Sequence, residues 1–117
     1  MLKGLDALLS PGLLHLLAEM GHGDELVLVD RNFPAVSCSR RLVRLDGATL
    51  PQAARAILSL LPIDTFIPKP VSAMQMVDTP EIVPEVQSEV FALIEAAEGR
   101  TSEPRPYGCV LLTKGVL

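Results

Sequence analysis

Residues 21–30 have the sequence GHGDELVLVD, in which a glycine-flanked histidine leads into a short apolar run that ends at an aspartate. The run Leu26–Val29 is continuously apolar rather than alternating, which is typical of a strand that is buried on both faces of its sheet. His22 lies between Gly21 and Gly23, so we predict that it lies in a loop that a ligand can approach closely. This stretch therefore predicts one buried strand with a polar group at each end.

Helix and strand signals alternate on both sides of this stretch. Ser10 is a predicted N-cap, with Pro11 at the first helical position and an apolar stripe after it. Two further helices are predicted after Pro51 and after Pro84. The other predicted strands are residues 41–45, 71–77 and 110–112. This alternation predicts an α/β layered domain with a central, mainly parallel sheet and helices on both faces.

Length and charge exclude several classes of protein. The chain has 117 residues, which predicts a single domain over residues 1–117. It carries 10 Lys+Arg against 14 Asp+Glu, a net charge of -4. An acidic chain is a poor partner for nucleic acid or an anionic membrane, because both need a clustered basic face. No apolar run approaches the ~18 residues of a membrane span, and no signal peptide is predicted.

Cysteine usage predicts the compartment. Cys38 and Cys109 lie far apart in the sequence and form no closely spaced pair. A secreted disulfide scaffold or a zinc ribbon would need more cysteines at closer spacing. We therefore expect two ordinary thiols in a reducing compartment, and a cytoplasmic protein.

The densest group of polar candidates is His22, Asp24 and Asp30. Ligands of open α/β sheets bind outside the carboxyl ends of strands, which is where Asp30 is predicted to lie. His22 and Asp30 flank one short strand and cannot touch within it, but they can face one pocket if another subunit completes it. The alternative is a helix end followed by a solvated turn, with His22 and Asp24 incidental. Spacing alone favours this alternative, because sites occupy few loops.

Other kinds of chemistry have weaker support. Two histidines are too few for a typical metal site, and we predict neither a metal nor a cofactor. The chain lacks Gly-x-Ser-x-Gly, a cysteine beside a histidine, and a glycine-rich phosphate loop. Tyr107 precedes the last predicted strand, where a lone tyrosine is often a packing residue, although its hydroxyl suits a hydrogen bond to a sugar.

Several segments, taken in order, resemble the ribose pyranase/fucose mutarotase (RbsD/FucU) family. They are residues 18–25 (AEMGHGDE), 29–35 (VDRNFPA), 44–47 (RLDG), 107–108 (YG) and 114–116 (KGV). The GHGD and NFPA segments are similar to the fucose branch, whereas the ribose branch typically has a threonine after the histidine. An ordered match over nearly the whole chain makes an incidental His22 the minority interpretation.

The resemblance implies a cofactor-free mutarotase that acts on a free monosaccharide, most similar to the L-fucose enzymes. It further implies a ring-like homo-oligomer, a decamer with sites near subunit interfaces. In the family, the histidine matching His22 donates the proton and the aspartate matching Asp30 binds sugar. Whether Asp30 holds sugar hydroxyls or orients the imidazole is left open by the sequence.

The resemblance extends to the segment Tyr107, Gly108 and Cys109, which matches a sugar-contacting Tyr-Gly-Asn segment of the family. Cys109 stands where the family has asparagine, and a thiol cannot replace an amide as donor and acceptor. Contacts from the backbone can survive this exchange, whereas a contact from the Cys109 side chain is in doubt.

The chain departs from the family between the third helix and the last strand. Family members carry an aromatic-rich stretch there, with a sugar-contacting Arg or His. This chain passes from Arg100 directly to Thr101 and has only three Phe, one Tyr and no Trp. Either it lacks the stretch or residues are missing from the sequence after Arg100, and we favour the second. Neither Arg100 nor Arg105 can therefore be assigned the basic role.

Two alternative functions stay open at this point. One is a D-ribose pyranase-type isomerase, which interconverts pyranose and furanose forms by the same ring opening. The other is a non-catalytic sugar-binding oligomer, which the Cys109 exchange and the absent stretch favour.

Overall fold

The structure, a computed structural model, describes residues 2–73, 85–98, 103–104 and 109–116. Its elements in chain order are α1 (Pro11–Glu19), β1 (Glu25–Val29), α2 (Ala35–Cys38), α3 (Leu50–Leu58), β2 (Val71–Ala73), α4 (Glu85–Glu98), β3 (Glu103–Pro104) and β4 (Cys109–Thr113). The predicted α/β class is confirmed. Within the described ranges, every helix is too short or too polar to cross a membrane.

Local capping signals fix the starts of α1 and α3. The Ser10 Oγ accepts a hydrogen bond from the Leu13 N–H at 3.3 Å, which satisfies one of the free donors of the first turn of α1. At α3, the Thr49 Oγ1 accepts from the Gln52 N–H at 3.3 Å, while the Gln52 Oε1 accepts from the Thr49 N–H at 3.0 Å. This reciprocal pair is a capping box. The helices predicted after Ser10, Pro51 and Pro84 are confirmed.

The four strands lie in the order β1-β4-β2-β3. β4 is antiparallel to both of its neighbours, β1 and β2, and only the short β2–β3 pairing is parallel. The predicted mainly parallel sheet is therefore not confirmed for the described residues. The burial of β1 agrees with this arrangement: Leu28 is buried, whereas its neighbour Val27, on the other face, is 42% exposed. The apolar run thus has one covered face rather than two, and antiparallel sheets commonly leave one face open.

One strand prediction is wrong, and another is confirmed only over the residues that the structure describes. Residues 41–45, predicted as a strand, form no strand; Val43 and Leu45 instead pack against the edge of the core. A run of so few apolar residues does not distinguish a strand from a loop that packs on the core. β2 covers only Val71–Ala73 of the predicted strand 71–77, and residues 74–77 lie outside the described residues.

The core lies between α3, α4 and the sheet, with α1 along one side. The buried apolar side chains of these elements include Leu13, Leu17, Ala54, Ile57, Val71, Val90, Ile94, Val110 and Leu112. α4 contributes Val90 and Ile94, which are four residues apart and therefore lie on one face of the helix. This packing fixes β4 between β1 and β2, so the residues just after β4 meet the loop before β1.

Candidate functional site

The loop that carries His22 is closed by its own hydrogen bonds. The Gly21 N–H donates to the Asp24 Oδ2 at 2.8 Å, and the Asp24 N–H donates to the Gly21 carbonyl at 3.1 Å. Gly23 has φ +87°, in the left-handed region that favours glycine. Asp24, a sequence candidate, therefore holds the turn.

The residue that follows β4 ties this loop to the sheet. The Gly23 N–H donates to the Lys114 carbonyl, and the Lys114 N–H donates to the Asp24 carbonyl, both at 2.9 Å. The Lys114 Nζ donates to the Met20 carbonyl at 2.6 Å. Both sides of the loop are thus attached to Lys114, which limits where the His22 backbone can lie.

A second segment approaches the same residues from the end of α3. Ile63 pairs with Lys114 in an isolated antiparallel bridge, and the Asp64 N–H donates to the Thr113 carbonyl at 2.9 Å. The Gly115 N–H donates to the Pro62 carbonyl at 2.8 Å. A Cβ at Gly115 would lie 2.6 Å from the Ile63 carbonyl oxygen, so only glycine fits. This close approach places Asp64 beside the His22 loop.

His22 contacts a buried carboxylate. Its Nε2 lies 3.1 Å from the Asp64 Oδ1; the His22 side chain is 42% exposed and that of Asp64 only 3%. The same Oδ1 accepts the Phe66 N–H at 2.9 Å. The Phe66 ring meets the imidazole edge-on, with centroids 5.2 Å apart and planes at 62°. An accessible imidazole held by a buried acid is a group suited to proton transfer near neutral pH.

Sequence reasoning missed Asp64 and Phe66. Asp64 is 42 residues from its hydrogen-bonding partner. Sequence spacing cannot link His22 with Asp64, because their two loops are brought together by hydrogen bonds to the end of β4. Asp64 follows Pro62 and Ile63 in the sequence. That local pattern does not identify a functional residue, because it is common in surface turns.

Asp30 lies away from His22. It is exposed and directly follows β1, and its Oδ1 accepts the Asn32 N–H at 2.8 Å. The five residues of β1 separate it from the His22 end by about 17 Å at ~3.4 Å per residue. Within one chain, the structure does not bring His22 and Asp30 together.

The remaining predicted residues cluster with Asp30, as far as they are described. Cys109 is the first residue of β4, and its backbone pairs with Val29, next to Asp30. Tyr107 and Gly108 lie outside the described residues, as does the Cys109 side chain. The structure thus places the backbone of one predicted sugar-binding residue at the Asp30 end of the sheet.

A shallow depression on α1 holds a separate set of polar groups. It is lined by Gly12, His15, Leu16, Glu19, Arg41, Leu42 and Val43. The His15 Nε2 lies 3.0 Å from the Glu19 Oε1, and Arg41 pairs with the other oxygen of Glu19. Glu19 thus contacts both His15 and Arg41, and the His15 side chain is 75% exposed. Across the described part of the chain, no group of three or more His, Cys, Asp or Glu side chains could hold a metal ion.

Comparisons with known proteins place these features in a family. Residues 3–117 match the profile of the RbsD / FucU transport protein family. The fucose mutarotase of Homo sapiens is 39% identical over 145 aligned positions, which cover 99% of this chain and 94% of that protein. The L-fucose mutarotase of Haemophilus influenzae (strain PittEE) is 42% identical over 101 residues, 86% of this chain and 70% of that protein.

A solved structure agrees with the sequence comparisons. The crystal structure of the fucose mutarotase in complex with L-fucose from Streptococcus pneumoniae has a TM-score of 0.86 and 30% identity, and the match covers 99% of both chains. The alignment with the human protein has more positions than this chain has residues. That protein therefore contains residues without a counterpart here, in agreement with the shorter length noted from the sequence.

Proposed function

Because this chain belongs to the RbsD / FucU transport protein family, we propose that it is a cofactor-independent mutarotase that interconverts the anomers of L-fucose. The names of the bacterial and mammalian relatives support fucose as the sugar. The observation that carries the activity is His22, a partly exposed imidazole on a fixed loop, hydrogen-bonded to a buried carboxylate. This is the arrangement that reversible proton transfer to a sugar requires.

The protein has to supply only proton transfers in this reaction. The anomeric hydroxyl loses a proton, the bond between the anomeric carbon and the ring oxygen breaks, and the ring oxygen gains a proton. The open-chain aldehyde rotates, presents its other face to the same hydroxyl, and the ring closes by the reverse transfers. His22 takes up the proton that the anomeric hydroxyl loses and gives it to the ring oxygen, and it reverses both transfers on closure. A positioned acid or base accelerates such a step by ~10²–10⁴-fold.

The sugar pocket is proposed to form between subunits of a ring-like homodecamer. Asp30 and the segment Tyr107–Cys109 would bind sugar hydroxyls, with His22 reaching the pocket from a neighbouring copy. The separation of His22 and Asp30 within one chain supports this proposal. So do the exposed apolar side chains of Val36, Phe66 and Val116, which are 79%, 71% and 54% accessible. Light scattering should report a particle of about ten copies, and a monomer at micromolar concentration would contradict the assembly.

A free monosaccharide in the cytoplasm is the proposed substrate, and we propose neither a nucleic-acid nor a membrane partner. The net charge of -4 supports the absence of a polyanionic partner. The two widely spaced cysteines support a reducing compartment.

Line-broadening NMR on L-fucose and D-ribose tests the activity. Wild-type protein should broaden the anomeric signals of L-fucose through catalysed exchange, and His22→Ala should not. His15→Ala is the matched control, since the His15 side chain is 75% exposed and its polar contact in the described part of the chain is with Glu19, away from His22. Faster exchange of D-ribose than of L-fucose would contradict the proposal that L-fucose is the substrate. Binding of fucose without exchange would contradict catalysis.

A further inference from the structure

We infer that Asp64 is the positioning residue of His22. Its buried carboxylate holds the imidazole with Nε2 protonated and leaves Nδ1 as the nitrogen that exchanges a proton with the sugar. The role of Nδ1 in the reaction rests on the proposed function, whereas the tautomer of His22 does not.

The direction of the hydrogen bond follows from the chemistry of a carboxylate. The Asp64 Oδ1 accepts the backbone N–H of Phe66 at 2.9 Å, and a backbone N–H can only donate. A carboxylate accepts hydrogen bonds and has no proton to donate, so beside an ionised Asp64 the His22 Nε2 at 3.1 Å is the donor. A neutral imidazole carries one N–H, so Nδ1 keeps its lone pair.

Asp64 is anchored well enough to orient a ring. Its side chain is 3% exposed, and its backbone N–H is bonded to Thr113 in the extension of β4. Phe66 meets one side of the imidazole edge-on and restricts its rotation. In the described part of the chain, the His22 Nδ1 has no hydrogen-bond partner. Hydrogen bonds to an ionised acceptor are about twice as strong as neutral ones, which favours one ring orientation.

Asp30 cannot perform this task within the same chain. It lies at the far end of β1, and its Oδ1 already accepts the Asn32 N–H. Within one chain the residue placed to orient the imidazole is therefore Asp64, and the proposal keeps Asp30 as a residue that binds the sugar.

The first test needs no substitution at Asp64. The chain contains only two histidines, so ¹⁵N NMR of the imidazoles is readily assigned, with His15→Ala removing the second set of signals. At a pH where the imidazole is neutral, the ¹⁵N signals of His22 should show a protonated Nε2 and an unprotonated Nδ1. A protonated Nδ1, or an equal mixture, would overturn the inference whether or not the protein exchanges fucose anomers.

The second test measures Asp64→Asn, with Asp46→Asn as a control because Asp46 is an exposed carboxylate whose side chain is 84% accessible. At saturating L-fucose, the exchange rate of Asp64→Asn should fall ~10–100-fold, as for other residues that orient a functional imidazole. Its affinity for fucose should change by less than about twofold, because the contact removed is not to the sugar. The His22 ¹⁵N signals should move towards the other tautomer.

The outcomes separate the two proposals. Wild-type rates in Asp64→Asn, or a loss of affinity equal to the loss of rate, would overturn the positioning role alone. A wild-type protein that shows the Nε2-protonated tautomer but exchanges no sugar would overturn the proposed function and support the inference about His22. If Asp64→Asn fails to fold, the tautomer of His22 in the wild-type protein tests the inference by itself.

Discussion

Replacing Gly115 with alanine tests whether the close approach of two chain segments holds the His22 site together. The new Cβ would lie 2.6 Å from the Ile63 carbonyl oxygen and 2.9 Å from both the Ile63 carbonyl carbon and the Asp64 Cα. All three are backbone atoms, so no flexible side chain can move aside. The two segments must separate, and the shift falls on the residue that contacts His22.

The magnitude follows from this clash. Overpacking a well-packed site costs typically about 1–3 kcal/mol, and contact with backbone places Gly115→Ala in the upper part of that range. A domain of this size loses roughly 4 °C in melting temperature for each kcal/mol. Because Asp64 moves away from the imidazole, the exchange rate of fucose should also fall, by about tenfold or more.

Thermal melts and NMR exchange rates at one protein concentration measure both effects, since assembly makes the melting temperature depend on concentration. Gly12→Ala is the matched control: Gly12 lies in α1, and, apart from its chain neighbours and its own helix backbone, no heavy atom of the described residues lies within 4 Å of a Cβ placed there. That variant should be as stable as wild type or up to ~1 kcal/mol more stable, because alanine favours helix. A melting temperature of Gly115→Ala equal to that of wild type would refute the argument that only glycine fits there.

Two further substitutions separate proton transfer from sugar binding. His22→Ala should lower the fucose exchange rate by ~10²–10⁴-fold, and its melt should report a loss of about 1.5–3 kcal/mol from the hydrogen bond to the buried Asp64 carboxylate; an unchanged rate would exclude His22 from the chemistry. Asp30→Asn should weaken fucose binding by roughly tenfold in a calorimetric titration, because a neutral acceptor forms weaker hydrogen bonds than a carboxylate, and its melt should match wild type. Wild-type affinity in Asp30→Asn would contradict its proposed role in sugar binding.

The sequence predicted the features that neighbouring residues determine. Ser10 marks the start of α1, and the glycines beside His22 mark a loop, because caps and turns depend on a few adjacent residues. The same locality explains the failures. The position of β4 between β1 and β2 depends on pairings between residues far apart in the sequence, such as Leu28 with Val110 and Val71 with Leu112. An apolar run therefore predicted a strand without predicting its direction.

The residues of the candidate site also differ in whether the sequence predicts them. His22 is recognisable from its glycine neighbours and from the resemblance to a family. Asp64 is not, because its partner lies 42 residues away and the two meet only through β4. The strand prediction for residues 41–45 is wrong for a related reason: Val43 and Leu45 pack against the core, and residues 41–45 pair with no strand in the part of the chain that the structure describes.

The place of β4 in the sheet has a consequence for how the protein is made. β1 and β2 are translated before β4, the strand that joins them. Until β4 has left the ribosome, both earlier strands expose unpaired edges, the condition under which nascent chains associate with one another. The His22 loop and the Asp64 segment are also bonded to the residues at the end of β4 and just after it. A translation product that stops before Cys109 therefore exposes two open strand edges and lacks the residues that hold Asp64 beside His22.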